Sequence, residues 1–193
     1  MAAVQRTMNR EEWLARVCPE ATGPCVPASS DASFRSYHRV TTPNGSVILM
    51  DAPPAQEDSR PFVDVAERLL ACGVNVPRVL AADLDQGYLL LTDLGDSLYL
   101  DCLDAGSADA LYDDAIAALV AIQRDGRASD LPPYDEALLR REMALFPDWL
   151  LERHLGLDLA PVRADIAAAA DALVDVALEQ PRVFVHRDYH SRN

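Results

Sequence analysis

The sequence predicts an α+β fold in which a small β-rich lobe with one helix precedes a mostly helical region. Alternating and β-branched runs separated by turn residues dominate the first part of the chain, whereas apolar residues at helical spacing dominate the second. The change from the strand-like pattern to the helical pattern occurs near Asp93, in a short connection rich in aspartate and glycine. We therefore expect an N-terminal lobe of residues 1–93 and a partial helical lobe of residues 94–193.

The first region predicts the order strand, strand, helix, strand, strand. Residues 33–41 (SFRSYHRVT) alternate between apolar and polar side chains, and residues 46–50 (SVILM) are apolar and β-branched, so the two runs predict a hairpin. Apolar residues recur at helical spacing over residues 61–72. Residues 78–84 and 88–93 predict a second hairpin.

The second region predicts three helices and one short strand. The helices cover residues 107–126, 135–156 and 161–179, and the serine and aspartate that begin the first two are suitable caps. Pro147 is expected to kink the second helix. Residues 182–185 (RVFV) predict a strand that leads into the final segment.

Composition and charge exclude several classes of partner. The net charge is -14, from 31 acidic and 17 basic residues, which disfavours nucleic-acid and anionic-membrane partners because those need a basic surface. The N-terminus lacks the apolar core of a signal peptide, and no run is long enough to span a membrane. The four cysteines form no CxxC pair. We expect a cytoplasmic protein that acts on a small molecule, and the sequence is silent on its oligomeric state.

The final eight residues, HRDYHSRN, carry the chemistry. A strand end followed by His186-Arg187-Asp188, with Asn193 five residues after the aspartate, is typical of the catalytic loop of protein-kinase-like phosphotransferases. In that interpretation Asp188 accepts or orients the proton of the attacking hydroxyl. Asn193 then holds Mg²⁺ on the phosphates of ATP.

Two other interpretations of the same segment stay open. His186, Asp188 and His190 form an H-x-D-x-H pattern whose imidazole and carboxylate groups are suitable zinc ligands, as in a metal-dependent hydrolase. Alternatively, Asp188 caps neighbouring backbone amides in an ordinary turn.

Five segments resemble a known family. They are SDASFRSYHRV (30–40), VILMDAPP (47–54), GVNVPRVL (73–80), LLLTDLGD (89–96) and FVHRDYHSRN (184–193). Together they are similar to the aminoglycoside phosphotransferase and choline-kinase-like enzymes, which have the protein-kinase-like fold. The combination of SFRSY with LMDAPP resembles more narrowly the bacterial kinases that phosphorylate N-acetylmuramate and N-acetylglucosamine at the anomeric hydroxyl.

The resemblance implies roles for several residues. Residues 30–35 would cover the ATP phosphates, with Arg35 as a phosphate contact. Glu67, on the predicted helix, would stand where kinases place the glutamate that pairs with an ATP-binding lysine; the alternative is an ordinary surface glutamate. Asp93 and Leu94 would form the hinge that binds adenine. The implied activity is transfer of the γ-phosphate of ATP, with Mg²⁺, to a sugar hydroxyl.

The sequence departs from the family in two places. Met50 stands where family members commonly have a lysine, and the chain has no lysine, so an arginine such as Arg35, or metal alone, must neutralise the phosphates. Family members also continue past the equivalent of Asn193 with an acidic metal ligand, so we expect little activity from these 193 residues alone. An aminoglycoside-type kinase and a degenerate nucleotide-binding module are the remaining alternatives.

Overall fold

The computed structural model describes residues 2–30 and 34–192. Its helices and strands are, in chain order, α1 (Ala2–Val17), β1 (Thr22–Ser30), β2 (Ser36–Thr42), β3 (Gly45–Asp51), α2 (Arg60–Ala71), β4 (Val79–Asp83), β5 (Tyr88–Thr92), α3 (Tyr99–Cys102), α4 (Ala108–Asp125), α5 (Glu136–Leu145), the π-helical segment (Phe146–His154) and α6 (Arg163–Leu178). The predicted α+β class is confirmed.

The strands form one antiparallel sheet in the order β1-β2-β3-β5-β4. The β2–β3 hairpin pairs Val40 with Val47, and β5 lies against the other side of β3 with Leu90 opposite Leu49. Consecutive residues are buried at the end of β3 (49–51) and along β5 (88–91), so this part of the sheet is covered on both faces. The two predicted hairpins are confirmed.

Helix α1 covers one face of the sheet. Trp13 and Leu14 are buried there, and the Trp13 ring lies 5.6 Å from that of Tyr88. The other buried members of this cluster are Cys18, Val40, Leu49 and Leu90. Helix α2 packs on the opposite face, where Phe62 and Val63 contact a cluster of four buried residues: Met50, Ala52, Leu89 and Leu91.

Ion pairs fasten α1 to the end of β3. Asp51 is almost fully buried; Arg6 donates to its carboxylate at 2.8 Å, and Arg10 lies 3.6 Å from it. Arg10 also lies 2.9 Å from the His38 ring, and burial together with this cation lowers the pKa of His38. A buried carboxylate is stable only when it is paired, so these arginines hold α1 in place.

Helix α1 and strand β1 were not among the sequence predictions. The first part of α1 is polar, and only its last two turns carry an apolar stripe of Trp13, Leu14 and Val17. Strand β1 contains Pro24 and Pro27, which is unusual for a strand. It lies at the edge of the sheet, where proline costs no ladder hydrogen bond on the open side.

Two predictions in the helical region were wrong, those for residues 182–185 and for Ser107. Residues 182–185 form no strand. The helix expected over residues 135–156 is present as α5 followed directly by the π-helical segment, and the irregularity expected at Pro147 occurs at the start of that segment, because proline lacks the N–H of a regular helical turn. Ser107 does not cap α4; its hydroxyl donates instead to the Cys102 carbonyl at 2.6 Å. The aspartate cap of α5 is confirmed by a 3.0 Å hydrogen bond from Leu138 N–H to Asp135.

The chain forms two compact units. One comprises Met1–Gly126 together with Asp188–Asn193, and the other comprises Arg127–Arg187. The division into lobes of residues 1–93 and 94–193 stays a prediction. Within residues 2–30 and 34–192, none of the helices is both long and apolar enough to cross a membrane.

Candidate active site

The candidate base, Asp188, has an exposed carboxylate. Its side chain is 73% exposed, and Oδ1 lies 3.2 Å from Nε2 of His190. The other ring nitrogen of His190 accepts a hydrogen bond from the backbone N–H of Arg192 at 3.1 Å. This second contact fixes the ring, so that Nε2 is the nitrogen presented to the carboxylate. Asp188 is therefore accessible to a reactant and oriented on one side by an imidazole.

The segment after Asp188 is fastened to two helices of its own unit. The Tyr189 hydroxyl donates to the carbonyl of Ala115 in α4 at 2.6 Å. The backbone N–H of Leu100, in α3, donates to the Ser191 carbonyl at 2.9 Å. Burial raises the pKa of Tyr189, and the nearby Asp114 raises it further. A loop held at Tyr189 and Ser191 restricts the movement of Asp188, which comes directly before Tyr189.

Arg187, immediately before Asp188, has a left-handed backbone. Its φ of 76° is rare for a residue with a side chain and costs about 1 kcal/mol. Its guanidinium donates to Glu142 at 2.9 Å and lies 5.8 Å from the centre of the Tyr134 ring. Such strain persists only where surrounding contacts enforce it, and it is common beside functional groups.

The zinc interpretation has no support in the geometry. Among the residues that the structure describes, no group of three or more His, Cys, Asp or Glu side chains could hold a metal ion. The pattern of His186, Asp188 and His190 therefore does not form a zinc site there. Mg²⁺ is different, because it commonly uses one or two carboxylates together with substrate phosphates. Asp188 fits that donor set, and Asn193, the predicted metal ligand, lies outside the described residues.

Arg35 lies just before β2, next to the predicted phosphate loop, of which residues 31–33 lie outside the described part of the chain. Its guanidinium Nη2 donates to Glu57 at 2.7 Å, and the guanidinium carbon lies 5.7 Å from the centre of the Phe62 ring. Arg35 and Glu57 are 22% and 19% exposed in their side chains. The structure thus brings Glu57 to Arg35, an acidic partner that sequence reasoning missed.

Glu67 is exposed to solvent, whereas Met50 is buried in the core. Glu67 is exposed on α2, and no ion pair of its carboxylate is found among the described residues. Met50 is fully buried in the apolar cluster beneath α2. The glutamate predicted to pair with an ATP-binding cation is therefore not beside one, and its role stays a prediction.

Asp93, the first predicted hinge residue, is fixed through its side chain. Arg39 donates to its carboxylate at 2.5 Å, Ser46 donates at 2.7 Å, and the backbone N–H of Gly95 donates at 2.9 Å. The hydrogen bond from Arg39 is the main cause that lowers the pKa of Asp93 from 3.8 to about 2, against the opposing effect of burial. The carboxylate therefore stays ionised at all ordinary pH values.

Arg39 also forms an ion pair with Asp96, three residues after Asp93. Its guanidinium donates to both oxygens of Asp96, at 2.9 and 2.5 Å. Leu94, between the two aspartates, is half exposed. Nothing in the sequence pairs Arg39 with residues 54 and 57 positions later; only the sheet, which sets β2 beside β3 and β3 beside β5, brings them together.

The fold and the HRD-containing segment are those of a phosphoryl-transfer protein, and comparison with known sequences agrees. The chain belongs to the phosphotransferase enzyme family, whose sequence model matches residues 24–193. That match begins in β1 and includes the HRD-containing segment predicted to be the catalytic loop.

Three curated relatives to which the chain is similar are each named N-acetylmuramate/N-acetylglucosamine kinase. The chain is 57% identical to the Pseudomonas aeruginosa protein over 169 residues, which is 87% of this chain and 50% of the relative. It is 49% identical to the Pseudomonas putida protein over 172 residues, 89% of this chain and 51% of the relative. For the Neisseria meningitidis protein the identity is 38%, with coverage of 98% and 58%. The chain thus spans about half the length of the curated relatives it matches.

Proposed function

We propose that the protein transfers the γ-phosphoryl group of ATP to a hydroxyl of an N-acetylated amino sugar, with Asp188 as the catalytic base. The observation that carries this proposal is the exposed Asp188 carboxylate on an anchored HRD segment, in a chain 57% identical to a relative named as such a kinase. The anomeric hydroxyl of N-acetylmuramate or N-acetylglucosamine is the proposed acceptor.

Asp188 would receive the acceptor hydroxyl and take its proton as the new O–P bond forms. The γ-phosphoryl group passes directly to the sugar oxygen, and ADP leaves, so no covalent intermediate on the protein is needed. The anchors at Tyr189 and Ser191 support this role, because proton transfer requires a fixed distance between base and hydroxyl. His190, through its contact with Oδ1, would hold the Asp188 carboxylate in orientation.

The nucleotide would bind at the segment that begins with Asp93 and Leu94. Since Arg39 and Ser46 occupy the Asp93 side chain, adenine would meet backbone groups there and not the carboxylate. Arg35 would contact the phosphates. Mg²⁺, when bound, would neutralise charge on the phosphate oxygens, and Asn193 is the residue proposed to hold it.

The relatives support the proposed acceptor, because their name specifies N-acetylmuramate and N-acetylglucosamine. The resemblance of SFRSY and LMDAPP to kinases of these sugars supports a proposed role in cell-wall recycling. A cytoplasmic site for this step would match the supply of ATP.

The test uses the protein expressed from its complete reading frame. Magnesium-dependent release of ADP is followed with N-acetylmuramate, N-acetylglucosamine and an aminoglycoside in turn. We expect turnover with an N-acetyl sugar, and Asp188→Asn should lower kcat by about 10²–10⁴-fold, the usual contribution of a general base. Asp109→Asn, which changes an exposed aspartate on α4, is the matched control and should retain full activity.

Other outcomes identify the alternatives. Turnover with the aminoglycoside alone would make the protein an aminoglycoside-type kinase. ATP binding without turnover on any acceptor would favour the degenerate nucleotide-binding module, an alternative favoured by the buried Met50 and by the absence of lysine. Undiminished turnover by Asp188→Asn would remove the base assignment.

A further inference from the structure

To bind the phosphates of a nucleotide, this protein needs a cationic side chain, and the strand position that usually carries a lysine does not supply one. In protein kinases a strand lysine pairs with a helix glutamate to contact the phosphates. Here Met50, at that position, is fully buried among Ala52, Leu89 and Leu91. Glu67 is exposed on α2. Neither half of the usual pair is therefore in place.

Candidates to replace it include Arg35, Arg39 and Arg68, which lie on or next to β2 and α2. Arg39 is bound by Asp93 and Asp96, whose two negative charges outweigh its single positive charge. Arg68 is only 8% exposed in its side chain and is paired with Asp64, so a phosphate could reach it only after rearrangement. Arg39 therefore lacks the positive charge that a phosphate needs, and Arg68 lacks the access.

Arg35 differs from Arg39 in having one carboxylate partner in place of two, and from Arg68 in being more exposed. Its side chain is 22% exposed, and it lies beside the segment that resembles the phosphate loop. Glu57, in the connection between β3 and α2, accepts its Nη2 hydrogen bond at 2.7 Å. Phe62, in the first turn of α2, supports the guanidinium at 5.7 Å. The Glu57 backbone is itself held, because its N–H donates to the Pro53 carbonyl at 3.0 Å.

We propose that Arg35 and Glu57 replace the lysine–glutamate pair: Glu57 is a positioning residue that aims the Arg35 guanidinium at the nucleotide phosphates. A guanidinium is a planar fork of five N–H donors, so a carboxylate at one Nη and a neighbouring aromatic ring together restrict the direction of the whole group. An arginine already held in this way loses less side-chain entropy when phosphate binds. The inference rests on the proposed function for its nucleotide.

The test compares ligands that differ only in phosphate. Dissociation constants for ATP and adenosine are measured by calorimetry, with magnesium present, for the complete protein and its variants. Arg35→Gln should weaken the affinity for ATP by about tenfold or more, as expected for a lost charge-assisted hydrogen bond, and leave the affinity for adenosine unchanged. Glu57→Gln should weaken the affinity for ATP by about 3–10-fold and also leave that for adenosine unchanged. In the Arg35→Gln variant, the additional change Glu57→Gln should have no further effect on the affinity for ATP.

Matched controls separate a positioning role of Glu57 from a general loss of structure. Asp58→Asn changes the neighbouring carboxylate, which accepts a hydrogen bond from Arg60, and should leave the affinities for ATP and adenosine unchanged. Arg35→Lys keeps the charge but loses the fork, so it should fall between wild type and Arg35→Gln. If Glu57 has a purely structural role, Glu57→Gln should weaken the affinities for adenosine and ATP equally, and that result would overturn the proposal.

The outcomes for the two proposals are distinct. If ATP binds in the manner described and no sugar is phosphorylated, the proposed function fails and the Arg35–Glu57 inference stands. If sugar is phosphorylated but Glu57→Gln leaves ATP affinity unchanged, or if Glu67→Gln weakens ATP more than Glu57→Gln does, the inference fails alone. A wild-type protein that does not bind ATP more tightly than adenosine would also overturn it.

Discussion

The contacts of Asp93 predict an acid-sensitive contribution to stability that Asp93→Asn removes. The pKa of this carboxyl falls from 3.8 to about 2, mainly through the hydrogen bond from Arg39. At 1.36 kcal/mol for each pKa unit, a shift of this size corresponds to about 2.5 kcal/mol. The Arg39 side chain is 28% exposed, and water there weakens the interaction, so we expect about 1–2 kcal/mol at pH 7.

The pH dependence follows from the direction of the shift. A carboxyl with a lowered pKa stabilises the fold fully above its unfolded value of 3.8, because both states are then ionised. As the pH falls below that value, the unfolded state binds the proton before the folded state does. About half of the contribution should be lost by about pH 3, and the remainder as the pH passes through about 2.

Urea denaturation followed by circular dichroism measures this contribution. Asp93→Asn should lower the free energy of unfolding by about 1–2 kcal/mol at pH 7, and the difference from wild type should shrink steadily between about pH 5 and 3. Asp96→Asn is the control, because its side chain is 73% exposed and exposed pairs contribute about 0–1 kcal/mol. The reasoning is refuted if Asp93→Asn lowers the free energy of unfolding as much at about pH 3 as at pH 7, or if Asp96→Asn is equally destabilising.

Two further changes test the packing near the sheet and the catalytic loop. Gly87→Ala should destabilise the protein by several kcal/mol in the same urea experiment, because φ is +75° and a Cβ would collide with the Ala52 carbonyl oxygen; a change below about 1 kcal/mol would contradict this close approach. Tyr189→Phe removes the hydrogen bond to Ala115, so it should cost about 1 kcal/mol or less in unfolding free energy. It should also lower kcat and speed hydrogen exchange at the Leu100 amide, which is bonded to Ser191. Unchanged exchange at Leu100 would show that Tyr189 does not anchor the loop.

Local patterns in the sequence were enough for much of the fold. The β2–β3 hairpin and α2 were predicted because alternation and helical spacing are properties of neighbouring residues. The HRD segment could be recognised because its chemistry depends on spacing within eight residues. Phosphotransferase family membership, confirmed by the family match, was therefore available from the sequence by itself.

Elements that depend on distant partners were missed or wrong. Strand β1 contains two prolines and exists because β2 supplies its hydrogen bonds on one side. Residues 182–185 have the composition of a strand, but they are not paired with a strand in the described part of the chain. Composition sets the capacity to form a strand, whereas a neighbouring strand decides whether one forms.

By itself, the sequence determined which residues carry charge and that no lysine is present. Only the tertiary structure decided which acid meets each arginine. Arg39 reaches Asp93 across 54 positions, and Arg35 reaches Glu57 across 22, while Glu67 stays exposed on α2. The physical reason is that an ion pair needs two groups within about 4 Å, a distance set by strand order and by the faces that helices bury, and not by separation along the chain.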